Sequence, residues 1–189
     1  IKFQPGVNEE LAATSVWGTQ QVHLIGESNY DGVFAMWYGK GPGVDRCGDV
    51  FRHANAAGTS KFGGVLVIAG DDHAAKSSTL PHQSEQVFAA AMIPVVNPAN
   101  VQEYLDFGIL GFALSRYSGC WVGFKAISET VESGASVWVD PERIRIVPTV
   151  KTSTSDQVGV PCAASHSADS VGHSSSPIPI GLSSRMSRS

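Results

Sequence analysis

The sequence predicts an α/β protein in which a mostly parallel sheet lies between two helical layers, a three-layer α/β/α fold. The stretch "GGVLVIAGDD" at 63–72 is apolar through its centre, as expected of a strand buried on both faces. Other short apolar runs are separated by longer helix-forming segments, and parallel strands need connections of that kind. With 42% hydrophobic residues among 189, the chain has enough apolar side chains for one domain core.

The elements before this central strand are predicted to be a helix, a strand and a second helix. Residues 8–21 are rich in Ala and Glu, and Asn8 is a favourable N-cap. The run "DGVFAMWYG" at 31–39 is apolar and bounded by glycines, which is typical of a buried strand. The segment "GDVFRHANAAG" predicts a helix that ends at Gly58.

The elements after the central strand are predicted to be a helix, a short strand, a long helix and two further strands. The helices correspond to "SEQVFAAAM" at 84–92 and to 99–119, where Asn100 and Gly119 are suitable caps. The short strand is "IPVVNP". The two further strands are 120–127 and 135–141. The tryptophans are expected in the core, namely Trp17, Trp37, Trp121 and Trp138.

The composition of the chain changes near residue 151. Residues 1–150 form the predicted domain, whereas 151–189 are dominated by Ser with Gly and Pro and show no periodicity. A segment of that kind buries too little apolar surface to offset the entropy of ordering the chain. We therefore predict a disordered C-terminal tail.

Charge and cysteine spacing exclude several classes of protein. The formal net charge is -4 and the basic residues are scattered, which argues against a nucleic-acid partner. No apolar run approaches the roughly 20 residues that span a bilayer, and no signal peptide is recognisable, so we expect a cytoplasmic protein. Cys47, Cys120 and Cys162 are too far apart for a zinc or iron–sulfur motif.

Two loops follow predicted strands and are candidates for ligand binding. The first is "GKGPGVDR" at 39–46; clustered glycines indicate either a tight turn or close approach of the backbone to a ligand, and the order of residues is not that of a P-loop. The second is "GDDHAAKSS" at 70–78, which is either an exposed polar loop or part of a binding site. A serine hydrolase is disfavoured because the chain has no GxSxG motif. Ligands of open parallel sheets bind beyond the carboxyl ends of the strands, where both loops are expected.

Four stretches together resemble one family. They are "GVNEELAATSVWGTQQV", the block from Tyr30 to Glu85, "PVVNPANVQEYLDFG" and "SRYSGCWVGFKAISETVES". The chain is similar, from about Phe3 to Val147, to the thiamine-diphosphate-dependent indolepyruvate ferredoxin oxidoreductases in their long single-chain bacterial form. The resemblance implies a pyrimidine-binding domain that lacks its N-terminal part.

The family resemblance implies oxidative decarboxylation of an aryl 2-oxoacid such as indolepyruvate to an acyl-CoA, with ferredoxin as electron acceptor. Thiamine diphosphate is expected between this domain and a diphosphate-binding partner domain, and magnesium and iron–sulfur clusters are expected only in domains outside this chain. Gly70 to Asp72 followed by Asn97 imitates a magnesium–diphosphate motif, but Asp72 replaces its final glycine, so we predict no metal site here. We expect a homo-oligomer, and we expect the isolated chain to be inactive without the partner domain.

Roles for individual residues also follow from the resemblance. Glu9 matches the carboxylate that hydrogen-bonds N1′ of the cofactor's aminopyrimidine ring and activates the cofactor. Without the resemblance, Glu9 is an ordinary acidic residue in a first helical turn. Further cofactor contacts are expected from Gly41, Pro42, Gly43 and Asp45. Substrate contacts are expected from Arg46, Asp72, His73, Ser77 and Ser78. The alternative is a catalytically inactive orphan domain with a structural or dimerisation role.

Overall fold

The computed structural model describes residues 1–24, 26–140, 142–147 and 181–182. Its main feature is a four-stranded sheet in which every neighbouring pair of strands is parallel, as predicted. The order across the sheet is β1-β2-β4-β3. The strands are β1 Phe34–Lys40, β2 Gly64–Gly70, β3 Val95–Val96 and β4 Val122–Lys125.

Helices precede, connect and follow these strands. They are α1 Glu9–Gln20, α2 Gly41–Arg46, α3 Gly48–Ala57, α4 Glu85–Ala90, α5 Val101–Ser118 and α6 Ser128–Val131. The predicted caps are confirmed, since Asn8 Oδ1 accepts from the Leu11 amide at 2.9 Å and Asn100 Oδ1 accepts from the Glu103 amide at 3.0 Å. Gly119 closes α5 in the left-handed conformation, with φ 75°. These caps satisfy amide groups that a helix cannot pair internally.

The helices lie on both faces of the sheet, which confirms the layered α/β class. The chain moves in one direction across the sheet from β1 to β2 to β3 and then back to β4. Because parallel crossovers are right-handed, the reversal places α5 on the face opposite α3 and α4. Accordingly, Val65 packs in a core with α1, α3 and α4, whereas the next residue, Leu66, meets α5 at Gly111.

An aromatic cluster centred on Phe51 of α3 forms the core between the first helical layer and the sheet. The Phe51 ring lies 5.2 Å from the Trp37 ring, 6.1 Å from the Trp121 ring and 6.0 Å from the Phe88 ring. All four side chains are buried. Burying a side chain of this size contributes about 1.5–3 kcal/mol to folding, so this cluster fixes α3 and α4 against the sheet.

Three local predictions differ from the structure. The segment 41–46 is the helix α2 rather than a loop, because Pro42 suits the first turn of a helix. The strand predicted at 135–141 is also wrong, because residues 135–140 are irregular. Trp138, which was expected in the core, is 69% exposed. Its amide donates to Gln102 Oε1 at 2.7 Å, so the backbone pairs with a helix side chain instead of a strand.

The C-terminal part of the chain is described only in small pieces. Ile146–Val147, strand β5, pairs antiparallel with Gly181–Leu182, strand β6. The rest of the predicted disordered tail, 151–180 and 183–189, lies outside the described residues. Across the described part of the chain, none of the helices combines the length and the apolar composition needed to cross a bilayer.

Candidate functional site

The carboxyl ends of β1, β2 and β4 lie side by side and present polar residues at one edge of the sheet. Lys40 is the last residue of β1, Asp71 and Asp72 follow β2, and Lys125 is the last residue of β4. In a βα unit the helix runs back along the strand, so helices begin at the edge where strands end. Glu9, at the start of α1, lies at this edge next to Gly43 of α2.

Glu9 is held by its backbone while its carboxylate stays accessible. The Trp37 indole Nε1 donates to the Glu9 carbonyl at 2.9 Å, which ties α1 to β1. The Glu9 side chain is 44% exposed, and its nearest charged neighbour is Arg46, with Nη1 3.9 Å from Oε2. That separation exceeds hydrogen-bond distance, so both carboxylate oxygens can still bind another group.

Two glycines of α2 make space for side chains rather than for a turn. A Cβ atom at Gly43 would lie 2.7 Å from Glu9 Cγ. A Cβ atom at Gly41 would collide with the side chain of His82. Glycine is therefore required at both positions for Glu9 and His82 to pack against the start of α2. We call Glu9, Gly41, Gly43 and Arg46 the glycine-helix region.

Cys47, which follows α2, is not available as a nucleophile. It is a free, fully buried cysteine. Burial, with smaller contributions from the carboxylates of Glu9 and Glu10, raises the pKa of the Cys47 thiol to about 12, against an opposing effect of Arg46. Because the thiolate is the reactive form, this thiol is inert at neutral pH.

Asp72 organises its own loop. Its Oδ1 accepts from the Lys76 amide at 2.9 Å and its Oδ2 accepts from the Ser77 amide at 2.7 Å. These two amides, Ser77 first, hold the pKa of Asp72 below its ordinary value. The Asp72 carbonyl also accepts from the His82 amide at 3.1 Å. The side chain and the main chain of Asp72 therefore both hold residues 72–82, which we call the Asp72 loop.

A buried ionic group lies between the ends of β2 and β4. Lys125 Nζ is 2.6 Å from Glu85 Oε2 and 3.4 Å from Asp71 Oδ2, and the Lys125 side chain is only 5% exposed. Asp71 also accepts from Ser84, at 2.5 Å from Oγ and 2.9 Å from the amide. His73 Nε2 lies 3.4 Å from Lys125 Nζ. We call Asp71, Glu85 and Lys125 the switch-point cluster.

The position of the switch-point cluster follows from the topology. After β2 the chain continues to α4 on one face of the sheet. After β4 it continues to α6 on the other face, where Thr130 Oγ1 lies 2.8 Å from the Tyr104 hydroxyl of α5. Where neighbouring strands send their connections to opposite faces, a crevice opens that binds ligands in open α/β sheets. Burial raises the pKa of Glu85, but the hydrogen bonds from Lys125 and from its own backbone amide leave that pKa below the ordinary value.

The structure brings the predicted site residues into two neighbouring groups. Asp45 and Arg46 lie on α2 with the glycines, and Asp45 Oδ2 is 3.3 Å from His82 Nε2. Asp72 and Ser77 form the second group, which His82 joins to the first through its backbone. His73 lies apart from both, next to Lys125. Ser78 and Pro42 line one shallow depression of about 240 Å³.

Sequence reasoning missed Lys40 and Lys125, and it placed Asp71, His82 and Glu85 in the polar stretch after the central strand without giving them individual roles. The available signal was a lysine at the end of each of two apolar runs, "FAMWYGK" and "CWVGFK", in a chain with few basic residues. A charged residue at the carboxyl end of a buried strand is expected at the ligand-binding edge. Among the described residues, no three His, Cys, Asp or Glu side chains are grouped to hold a metal ion.

Comparisons of the chain with protein-family models, with curated proteins and with solved structures found no match in any of the three.

Proposed function

We propose that this chain is the pyrimidine-binding domain of a thiamine-diphosphate-dependent 2-oxoacid:ferredoxin oxidoreductase of the indolepyruvate type. In this proposal the cofactor binds between the domain and a diphosphate-binding domain, and electrons pass to ferredoxin through iron–sulfur clusters held elsewhere. The acyl group passes to coenzyme A. The observation that carries the proposal is the accessible Glu9 carboxylate beside Gly43, at the carboxyl edge of the sheet.

The contacts of Glu9 at this edge support the proposed role toward an aminopyrimidine ring. The proposed role of Glu9 needs a carboxylate that is fixed in position and is not already hydrogen-bonded in a close ion pair. Trp37 fixes its backbone, and the Arg46 guanidinium is too distant for a hydrogen bond. The glycine at position 43 leaves the carboxylate room to adopt this position.

The chemistry expected of this chain is proton placement and orientation. When bound, thiamine diphosphate supplies the electron sink for decarboxylation. Glu9 would hold the proton shared with the ring atom N1′, and the partner domain would have to cover the site and exclude water. Exclusion of water raises the proton affinity of a carboxylate, because the charged form loses its solvation. The half-exposed state of Glu9 agrees with a site completed by a partner.

The remaining predicted residues are proposed to border the cofactor and substrate. Gly41, Pro42 and Asp45 would face the cofactor from α2, and the exposed Arg46 guanidinium would border the substrate. The Asp72 loop, with His73, Ser77 and Ser78, would form the opposite wall of the substrate site. The switch-point cluster would hold both ends of that loop, because Asp71 binds Ser84 and Lys125 binds Glu85.

The test is a pair of matched substitutions, Glu9→Gln and Glu10→Gln, in the chain assembled with a diphosphate-binding partner domain, thiamine diphosphate and magnesium. Proton–deuterium exchange at C2 of the cofactor is followed by NMR, with turnover of indolepyruvate as a second readout. Glu9→Gln should slow exchange by about a hundredfold or more, the usual size of a lost acid–base group. Glu10→Gln should leave exchange unchanged, because only the neighbouring carboxylate lies beside Gly43. Equal exchange in both variants contradicts the proposal.

A second candidate is a non-catalytic domain that associates through an apolar surface. Phe34, Met36 and Tyr38 share one face of β1 and are exposed, and Phe34 contacts Phe112 of α5 with ring centres 5.2 Å apart. On α5, Leu105 and Ile109 continue the Phe112 stripe and are also exposed. Contiguous exposed apolar surface is typical of an interface. Calorimetry separates the candidates: heat with thiamine diphosphate only when the partner domain is present supports the catalytic proposal, and no heat in either case supports the second.

A further inference from the structure

The depression beside Lys40 has the composition of a small anion-binding site. We call it the Lys40 depression; it lies between the end of β1 and the Asp72 loop and is open to solvent. Its volume is about 240 Å³. The residues that matter to the inference are Lys40, Pro42, Ser77, Ser78, Leu80 and His82.

Positive charge and free donors lie at one side of the Lys40 depression. Lys40 Nζ donates to the Ser77 carbonyl at 2.5 Å, which fixes the ammonium group at the rim. An ammonium group has three donors, and the hydrogen bond to Ser77 uses one of them. Lys40 also acts electrostatically on the Asp72 carboxylate, which already accepts from the Lys76 and Ser77 amides. The ammonium therefore keeps donors for a ligand in a chain whose net charge is -4.

His82 lies at the same place, and each of its ring nitrogens faces an acceptor of the chain. Its Nδ1 lies 3.0 Å from the Leu80 carbonyl and its Nε2 lies 3.3 Å from Asp45 Oδ2. Both partners are acceptors within the chain, so His82 contributes to the depression as one of its walls.

Ser78 offers a hydroxyl that lacks a partner. Its Oγ is buried, and no hydrogen-bond partner for it exists among the described residues. Buried polar atoms without partners are rare and call for an explanation, such as a missing ligand. An oxygen atom of an anion placed near Lys40 would accept the Ser78 proton. Pro42 and the exposed Leu80 provide apolar walls beside these polar groups.

We infer that the Lys40 depression binds the carboxylate of a small organic acid that has an apolar body, with Lys40 as counter-ion and Ser78 as hydroxyl donor. The inference deepens the proposed function, on which it depends only for the expectation that the acid is an aryl 2-oxoacid. It assigns the carboxylate contact to Lys40 rather than to the predicted substrate residue Arg46, whose guanidinium lies near Glu9.

The experiment titrates the chain with phenylpyruvate and with phenylpropionate, which keeps the carboxylate and lacks the keto group. Backbone amide NMR shifts report the affinity and the place of binding. Lys40→Gln should weaken binding of both acids about tenfold to a hundredfold, the usual range for a lost charged hydrogen bond, and Ser78→Ala should weaken it about threefold to tenfold. Lys61→Gln is the matched control, because Lys61 lies over the Phe62 ring and lines no part of the Lys40 depression. Its binding should equal that of the unsubstituted chain.

Several results overturn the inference. They are unchanged binding in Lys40→Gln, a loss in Arg46→Gln instead, or no binding of either acid by the correctly folded chain. The assembled system separates this inference from the proposed function. If the assembly decarboxylates its substrate and Lys40→Gln leaves KM unchanged, the function stands and the carboxylate site is wrong. If both acids bind through Lys40 but the assembly shows no cofactor exchange, the site stands and the function is wrong.

Discussion

The glycine-helix region and the switch-point cluster lie at the same edge of the sheet, yet their charged side chains differ in burial and in the distance to their partners. In the glycine-helix region, Glu9 and Arg46 are both about half exposed and 3.9 Å apart. In the switch-point cluster, Lys125 is almost fully buried and lies 3.4 Å from the fully buried Asp71 carboxylate. An exposed pair at that distance contributes little to folding, whereas a buried pair cannot lose a partner without a large penalty. Weakly paired groups remain available to a ligand, and fully paired groups hold the loop that surrounds it.

The largest effect that would test this contrast is expected from Lys125→Met. The substitution keeps the length of the side chain but leaves Asp71 buried without its cation. Removing one member of a buried ion pair costs about 3–5 kcal/mol. Urea denaturation of the chain should show a loss of that size. Glu9→Gln measured in parallel should change the free energy of unfolding by less than about 0.5 kcal/mol, as is usual for exposed positions.

A small loss in Lys125→Met would remove the distinction between the two regions. Asp71 still accepts two hydrogen bonds from Ser84 in that variant, and a loss below about 1 kcal/mol would mean that Ser84 alone satisfies the carboxylate. The double variant with Asp71→Asn decides the point. If Lys125 and Asp71 form a unit, the combined loss should be clearly smaller than the sum of the single losses.

An intermediate effect is expected from Gly43→Ala, with Gly48→Ala as the matched control. Both glycines are in first turns of helices, and alanine favours a helix over glycine by about 1 kcal/mol. At Gly48 a Cβ atom meets nothing within 4 Å, so that variant should be more stable. At Gly43 the Cβ atom must displace Glu9, so thermal unfolding should show Gly43→Ala to be less stable than Gly48→Ala by about 1–2 kcal/mol.

Gly43→Ala also connects stability with the proposed chemistry. Because the added Cβ atom moves the Glu9 side chain, cofactor C2 exchange in the assembled system should fall in this variant and stay normal in Gly48→Ala. Normal exchange in both variants, with Glu9→Gln inactive, would show that the position of the Glu9 carboxylate tolerates displacement.

The smallest effect is expected from Arg46→Gln. The ion pair with Glu9 is long and exposed, so its loss should change the free energy of unfolding by no more than about 1 kcal/mol. Thermal unfolding at low and high salt is the measurement, and the difference between variant and parent should shrink as salt screens the pair. A loss above about 2 kcal/mol that is insensitive to salt would mean that Arg46 is a structural residue.

Much of the fold could be predicted because its signals are local. The apolar run at 64–70, the caps Asn8 and Asn100 and the terminating Gly119 each identify an element from adjacent residues. The strand expected at 135–141 failed because alternation of apolar residues does not reveal whether a neighbouring strand is available. In the structure Gln102 of α5 binds that backbone instead.

The candidate site was predictable only in outline. Glu9 and the glycines of α2 were identified, but a glycine cluster alone does not distinguish a turn from a close contact. The contacts of Gly41 with His82 and of Gly43 with Glu9 join separate parts of the chain. The switch-point cluster was missed because its members are ordinary charged residues in the sequence, and only burial makes their pairing important.

The sequence by itself determined most of the order of helices and strands and the edge at which polar loops gather, because periodicity and caps depend on near neighbours. Tertiary structure alone decided which charges are paired and which are left accessible. Lys125 and Glu85 are 40 residues apart in the chain and 2.6 Å apart in space. Such a contact depends on the order of the strands and on the face of the sheet over which each connection passes. No local sequence pattern determines either of these.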